Sequence, residues 1–154
     1  MEQTTTYTLD QVKSKIAEAF PTETKFENKV RPRRLYMSAH RDILLKLCNL
    51  LKDELGFDHC SCVSGVDWCD RFQTVYHICS YSSNITIEIV VDLSHETPEV
   101  DSVTPLWEGA NWHEREAYDM FGIIFRGHPR LERILLPEDY TFFPMRKDCD
   151  VGRK

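Results

Sequence analysis

Apolar residues recur at helical spacing in two stretches of the first sixty residues. Val12, Ile16, Ala19 and Phe20 follow Thr8 and Gln11, a capping-box pair, and Pro21 ends the pattern. The spacing predicts a helix over 9–20. Ile43, Leu44, Leu47, Cys48, Leu51 and Leu55 keep an i, i+3, i+4 rhythm up to Gly56, which predicts a second helix over 40–55. Between them, residues 22–34 are polar and basic and are broken by Pro32. Arg33 to Ser38 reads as a short strand, with Leu35 and Met37 on one side. The period then changes to two. Cys60–Trp68, Phe72–Tyr81 and Ile85–Val91 read as three strands, the last alternating strictly. The polar connectors 67–70 and 82–84 suit hairpin turns, so the middle of the chain is predicted to be an antiparallel meander backed by the 40–55 helix. Residues 92–110 are loop-rich, with Pro98 and Pro105.

The last third changes character. Asn111 with Glu114 three residues on suggests a capping box, helical spacing runs from Trp112 to Phe121, and Gly122 suits the position after a helix end. At about 100° per residue, Trp112, Arg115, Glu116, Asp119 and Met120 fall on one face. A short apolar run (123–125), a Gly127-His128-Pro129 turn, a second apolar run (131–136) and a proline-bounded loop ending on Arg146-Lys147-Asp148 follow. The expected fold class is α+β in two layers: a mostly antiparallel mixed sheet with helices on one face and an extended C-terminal docking arm. One domain spans 1–154, with 1–106 as an α/β core and 107–154 as helix plus arm.

Composition narrows the class. At 154 residues the chain can bury a real core, and 42% hydrophobic with 29% charged residues is ordinary for a soluble globular domain. No apolar run approaches the roughly 20 residues of a membrane span. The polar N-terminus lacks a signal-peptide apolar region, so a cytoplasmic compartment is expected. Residues 1–40 carry seven basic and five acidic groups, 41–125 five and fifteen, and 126–154 seven and five. The acidic middle argues against a nucleic-acid face, whereas the basic ends suit either an acidic partner or solvent. Cysteines 48, 60, 62, 69, 79 and 149 form no C-x-x-C, so free thiols are expected rather than a metal or iron–sulfur site.

Two chemistries compete for the Trp112–Phe121 helix. His113, Glu114, Glu116 and Asp119 could supply a general acid and base, with the trio His113, Glu116 and Asp119 serving an independent enzyme, and the i, i+3 pair His113 and Glu116 also has the spacing of half of a carboxylate metal site. No second His/Glu pair, nucleophile elbow or phosphate-binding loop accompanies them. The other reading is a charge-paired face, with Arg115 and Asp119 as i, i+4 partners or Arg115 clamping the loop that follows. Trp112 beside Arg115 suits a protein interface. His128 reads as a turn residue bonded to backbone, and Phe142, Phe143 and Met145 as anchors under a loop.

At these residues the sequence resembles the "30-kDa" (C-type) subunit of proton-pumping NADH:quinone oxidoreductase (respiratory complex I). That signature runs Glu-Arg-Glu, two residues, Asp, two apolar residues, then six residues to a His and on to paired aliphatics. Here it is Glu114-Arg115-Glu116, Asp119, Met120-Phe121, His128 and Ile134-Leu135. Flanking matches are Ala110-Asn111-Trp112, Gly127-His128-Pro129, Leu136-Pro137-Glu138-Asp139 and Arg146-Lys147-Asp148, and upstream Val66-Asp67-Trp68 with Phe72 and Val75-Tyr76. One departure is that Arg130 and Glu132 exchange the family's usual signs. A shorter C-terminal tail than the family's is another expectation.

The resemblance implies a structural and assembly subunit with no cofactor of its own, and iron–sulfur clusters and flavin in partner subunits. The implied partners are a large hydrogenase-like subunit (49-kDa, D-type), a small iron–sulfur subunit (B-type) and, as a third candidate, a ferredoxin-like subunit (I-type). It would sit on the cytoplasmic side of the cell membrane, meeting the membrane only through the complex. Trp112, Glu114, Arg115, Glu116, Asp119, His128, Pro129, Arg133, Arg146, Lys147 and Asp148 are the implied interface and signature residues. Related machines, including archaeal F420H2 dehydrogenase, which reduces methanophenazine, and energy-converting hydrogenases, use the same subunit type. Donor and acceptor stay open.

Overall fold

The computed structural model describes residues 6–29 and 31–148. Helix α1 (Leu9–Ala19) starts on the expected capping box: the Thr8 hydroxyl accepts from the Gln11 amide, and the Gln11 side chain returns to the Thr8 amide. Val12 and Ile16 are its buried face. Strand β1 (Thr24–Phe26) leads into β2 (Arg34–Ala39). The expected 40–55 helix is composite. A 3₁₀ turn (Arg41–Ile43) precedes α2 (Leu44–Asn49), and a π turn (Leu50–Glu54) closes it, with the Leu55 amide bonded back to the Leu50 carbonyl. That reset keeps Leu44, Leu47, Leu51 and Leu55 all fully buried. Each fully buried leucine contributes about 1.5–3 kcal/mol.

Strands β3 (His59–Asp67), β4 (Arg71–Ser80) and β5 (Ile85–Ser94) form the expected antiparallel meander. The five-stranded sheet has the order β1-β2-β5-β4-β3, and β2 runs parallel to β5. Burial follows the period-two pattern. Phe72, Tyr76 and Ile78 on β4 and Ile85, Ile87, Ile89 and Val91 on β5 pack into one core with α1 and α2, while Val75, His77, Thr86 and Glu88 on the opposite face stay half-exposed. The α+β class, mixed sheet and helix layer are therefore as expected.

The 92–110 stretch is more ordered than its prolines suggest, because β6 (Glu99–Asp101) pairs in parallel with β7 (Ile124–Arg126), part of the 123–125 apolar run. Between them lies α3 (Ala110–Phe121). Trp107, Ala110, Ala117, Phe121, Ile123 and Phe125 all join the common core. Structurally, then, the arm begins after β7. The run 131–136 forms no strand. Cys48 and Cys60 are buried, Cys62 and Cys79 half-buried and Cys69 exposed, all as free thiols. Burial pushes the Cys60 thiol up to about 12. Cys149 and the C-terminal tail lie outside the described residues.

Candidate docking surface

Helix α3 starts two residues earlier than its sequence suggests. Gly109 is the N-cap, with no side-chain cap bond, and Asn111 is inside the helix. The expected Asn111–Glu114 capping box does not form, because Glu114 turns inward. Its carboxylate is fully buried and accepts from the Ser102 hydroxyl (2.5 Å), the Val103 amide (2.7 Å) and the Thr104 hydroxyl (3.0 Å). Burial raises its pKa, outweighing the opposing effect of those bonds. Glu114 therefore ties α3 to the segment after β6.

Asp119 does not pair with Arg115. It is fully buried, with Oδ1 at 2.6 Å from Arg133 Nη1. Its Oδ2 accepts the amides of Ile134 (3.0 Å), Leu135 (2.7 Å) and Leu136 (2.9 Å). Burial works to raise this carboxyl, but the three amides and the guanidinium overcome it, and its pKa is lowered. The arm has folded back over a face that helical projection leaves exposed, and this is why the i, i+4 pairing fails. Arg133 also reaches the carbonyls of Tyr140 (2.9 Å) and Phe142 (3.1 Å), so one ion pair ties three points of the arm to the helix. Arg115 is the loop clamp: it donates to the carbonyls of Glu132 (3.2 Å) and Arg133 (3.1 Å), and its guanidinium lies 5.2 Å from the Trp112 ring.

The imidazole of His128 is buried. Its Nδ1 accepts from the Arg130 amide, so the proton sits on Nε2, which donates to the Asn111 carbonyl at 3.3 Å. Burial, with help from nearby Arg115, lowers its pKa and keeps it neutral. This is the backbone-bonded turn residue expected, with Pro129 exposed beside it. Arg130 and Glu132, whose signs are exchanged relative to the family pattern, pair with each other at 2.7 Å on the surface.

The end of the arm is pinned twice more. Arg146 donates to the Phe121 carbonyl (2.6 Å), capping α3, and its guanidinium lies about 5 Å from both the Phe72 and Phe143 rings. Gly122 has φ +74°, and a Cβ there would meet Phe143 at 2.6 Å, so this position needs glycine for both conformation and space. The Lys147 amide donates to Asp67 Oδ2 (2.8 Å), while Asp67 Oδ1 accepts from Cys69. Among the described residues, Asp67, His95 and Asp148 are the potential metal ligands that come within 4.8 Å of one another, but both Asp67 oxygens are already engaged.

The proposed acid–base trio is not assembled. His113 and Glu116 line a shared groove of about 400 Å³ with Met120 and Met145, and Asp119 is enclosed elsewhere under the arm. What the stretch does present is apolar surface. Of the seven large exposed hydrophobics among the described residues, Trp112, Ile124, Leu135, Tyr140 and Met145 fall within it. Sequence reasoning missed Ser102 and Thr104 as partners of Glu114, and Phe143 as the ring joining Arg133 and Arg146. A lone arginine inside the apolar run 131–136 was the available sign that a buried acid awaited it. Among the described residues no helix is long and apolar enough to cross a membrane.

The family model described as "Respiratory-chain NADH dehydrogenase, 30 Kd subunit" matches residues 25–154. The C subunit of NADH-quinone oxidoreductase from Roseiflexus sp. (strain RS-1) is 44% identical over 128 residues, 80% of this chain and 68% of the relative. Its counterpart of the same name from Salinispora arenicola is 39% identical over 93% of this chain, which spans only 62% of that relative. The C subunit of F(420)H(2) dehydrogenase from Methanosarcina mazei is 38% identical over 77% of each chain. Among solved structures, the trypsin-resistant fragment (1–134) of Nqo5 superimposes with TM-score 0.71 and 27% identity, over 80% of this chain and 98% of the fragment. A chain of the archaeal membrane-bound sulfane sulfur reductase shares the fold, with TM-score 0.80 and 21% identity over 93% of this chain and 86% of its own.

Proposed function

The chain belongs to the respiratory-chain NADH dehydrogenase 30 Kd subunit family, and from that premise we propose that it is a cofactor-free structural and assembly subunit of a membrane-bound, ion-pumping oxidoreductase. It sits in the peripheral arm on the cytoplasmic face and passes no electrons itself. Electrons travel from NADH, F420H2 or ferredoxin to a quinone or methanophenazine through iron–sulfur clusters and flavin held by partner subunits. Its neighbours are the large hydrogenase-like subunit, the small iron–sulfur subunit and a ferredoxin-like subunit.

The observation that carries this reading is the fate of the charges on α3. Two acids of this helix are consumed in buried bonds, Glu114 to the segment after β6 and Asp119 to the arm, while His113 and Glu116 are left in the groove without Asp119. Trp112 on α3 and Leu135 and Met145 on the arm are then displayed to solvent on a fixed frame. Ordered aromatic and apolar side chains on a rigid support are what an assembly surface needs. Co-purification from membranes tests it, followed by assay with NADH, F420H2 and ferredoxin as donors. The chain is expected to travel with a multisubunit oxidoreductase, and Arg115→Ala to lower its recovery there. A free chain carrying stoichiometric metal, or normal assembly of Arg115→Ala with selectively lost chemistry, counts against it.

A further inference from the structure

Strand β3 is the last strand of the five-stranded sheet, so one of its edges has no strand beside it. The hairpin shows which residues face that edge. Trp68 donates its amide to the Arg71 carbonyl (2.9 Å), making these two a hydrogen-bonded pair. Alternation along the antiparallel ladder then makes Val66–Gln73 and Ser64–Val75 bonded pairs, and it leaves Gly65 (opposite Thr74) and Val63 (opposite Tyr76) as non-bonded pairs. Val63 and Gly65 therefore aim their N–H and C=O groups away from β4. Among the described residues, none of these four groups meets a backbone partner on that side. The open edge is bounded. A register shift between Cys60 and Cys62 ends it on one side, and the Lys147–Asp67 bond brings the arm across on the other.

The groove of about 400 Å³ runs along this edge. One wall is Cys62, Val63, Ser64 and Gly65. Successive strand residues point to opposite faces, so a wall of four in a row is the strand's edge and not either face. The facing wall is α3, with Ala117 and Met120 apolar and Glu116 at the lip, and Met145 of the arm completes it. Glu116 is exposed, and among the described residues it has no ion-pair partner.

We propose that this edge accepts an extended segment of a partner subunit by strand addition: its main chain pairs with Val63 and Gly65, apolar side chains meet Met120 and Met145, and a basic residue lies opposite Glu116. The inference rests on the assembly reading above and names the chemistry of one of its contacts. A second copy of this chain is a poorer occupant, because it would bring its own acidic lip toward Glu116.

Amide hydrogen exchange of the full chain, alone and within the membrane-purified complex, reads the two amides directly. In the free chain Gly65, which is half-buried, exchanges at least about tenfold faster than Ser64 and Val66, and Val63, which is 3% exposed, exchanges faster than those two by a smaller factor. In the complex Val63 and Gly65 slow to the level of those neighbours, and Glu116→Lys lowers recovery of the chain with the complex several-fold. If the chain co-purifies while Val63 and Gly65 exchange as fast as in isolation, strand addition is overturned and the assembly reading stands. Protection in the free chain that grows with concentration, alongside a dimer in sedimentation, overturns the partner in favour of a second copy. A chain that never co-purifies overturns both readings.

Discussion

The carboxylate of Asp119 and the guanidinium of Arg133 lie 2.6 Å apart, almost wholly out of water, though fourteen residues separate them in sequence. Three amides complete the acceptor demand of Asp119, and three carbonyls, its own included, occupy Arg133. Such a pair is strong only as a unit. Asp119→Ala leaves a buried guanidinium and three amides unsatisfied, at a cost of about 3–5 kcal/mol. Urea denaturation should show that loss. Limited proteolysis should show cleavage within 130–148 before the sheet is cut. Loss of stability with the arm still protected would mean that the ion pair does not hold the arm.

Gly122 and Gly109 make a matched comparison. Alanine at Gly122 meets Phe143 at 2.6 Å in a left-handed conformation, whereas alanine at Gly109 meets nothing within 4 Å. Gly122→Ala is expected to destabilise by more than about 1 kcal/mol, and Gly109→Ala to be neutral or stabilising by up to about 1 kcal/mol. Thermal melts of the two variants side by side check the contrast.

The pH response has three signed parts. His128 titrates lower in the fold than its ordinary 6.5, so its contribution is complete above 6.5 and is lost as pH falls through the folded value. Asp119 and Asp67 are also lowered, and their contribution is present above 3.8 and lost as pH falls through their lower folded values. Glu114 is raised and acts in the opposite sense, with its burden removed below 4.5 and felt as pH rises through its folded value. Urea midpoints measured from pH 4.5 to 8 should fall below pH 6.5 in the native chain, with a shallower fall in His128→Gln.

Trp112 separates assembly from stability. It is 61% exposed, with the Arg115 guanidinium 5.2 Å from its ring. Trp112→Ala should change unfolding free energy by less than about 0.5 kcal/mol. If it anchors an interface, it should weaken incorporation by about 2 kcal/mol or more, roughly thirtyfold. Equal incorporation of variant and native chains in a competition for the complex would remove Trp112 from the docking surface.

Local signals in the sequence were reliable wherever a residue's partner lay close by. The Thr8–Gln11 cap, the β3–β4–β5 meander and the Arg130 amide bond of the His128 turn all depend on neighbours within a few positions or on strict alternation, whereas the His128 bond to the Asn111 carbonyl crosses seventeen residues. The failures share a cause. Asn111–Glu114 and Arg115–Asp119 fit local templates, but tertiary partners at Ser102, Thr104 and Arg133 satisfy both acids more completely. Periodicity shows which helical face is polar; it does not show that a later segment will cover that face. The parallel β6–β7 pair was hidden for the same reason, since three residues are too few to carry a period.

The bond from Lys147 to Asp67 spans eighty residues. Closing so long a loop is unrewarded until the hairpin holding Asp67 exists, so the arm is among the last parts to settle. The surface offered to other subunits thus matures only on a finished sheet, and an incompletely folded chain lacks the shape that incorporation requires. Assembly then selects for correctly folded copies without a separate inspection step.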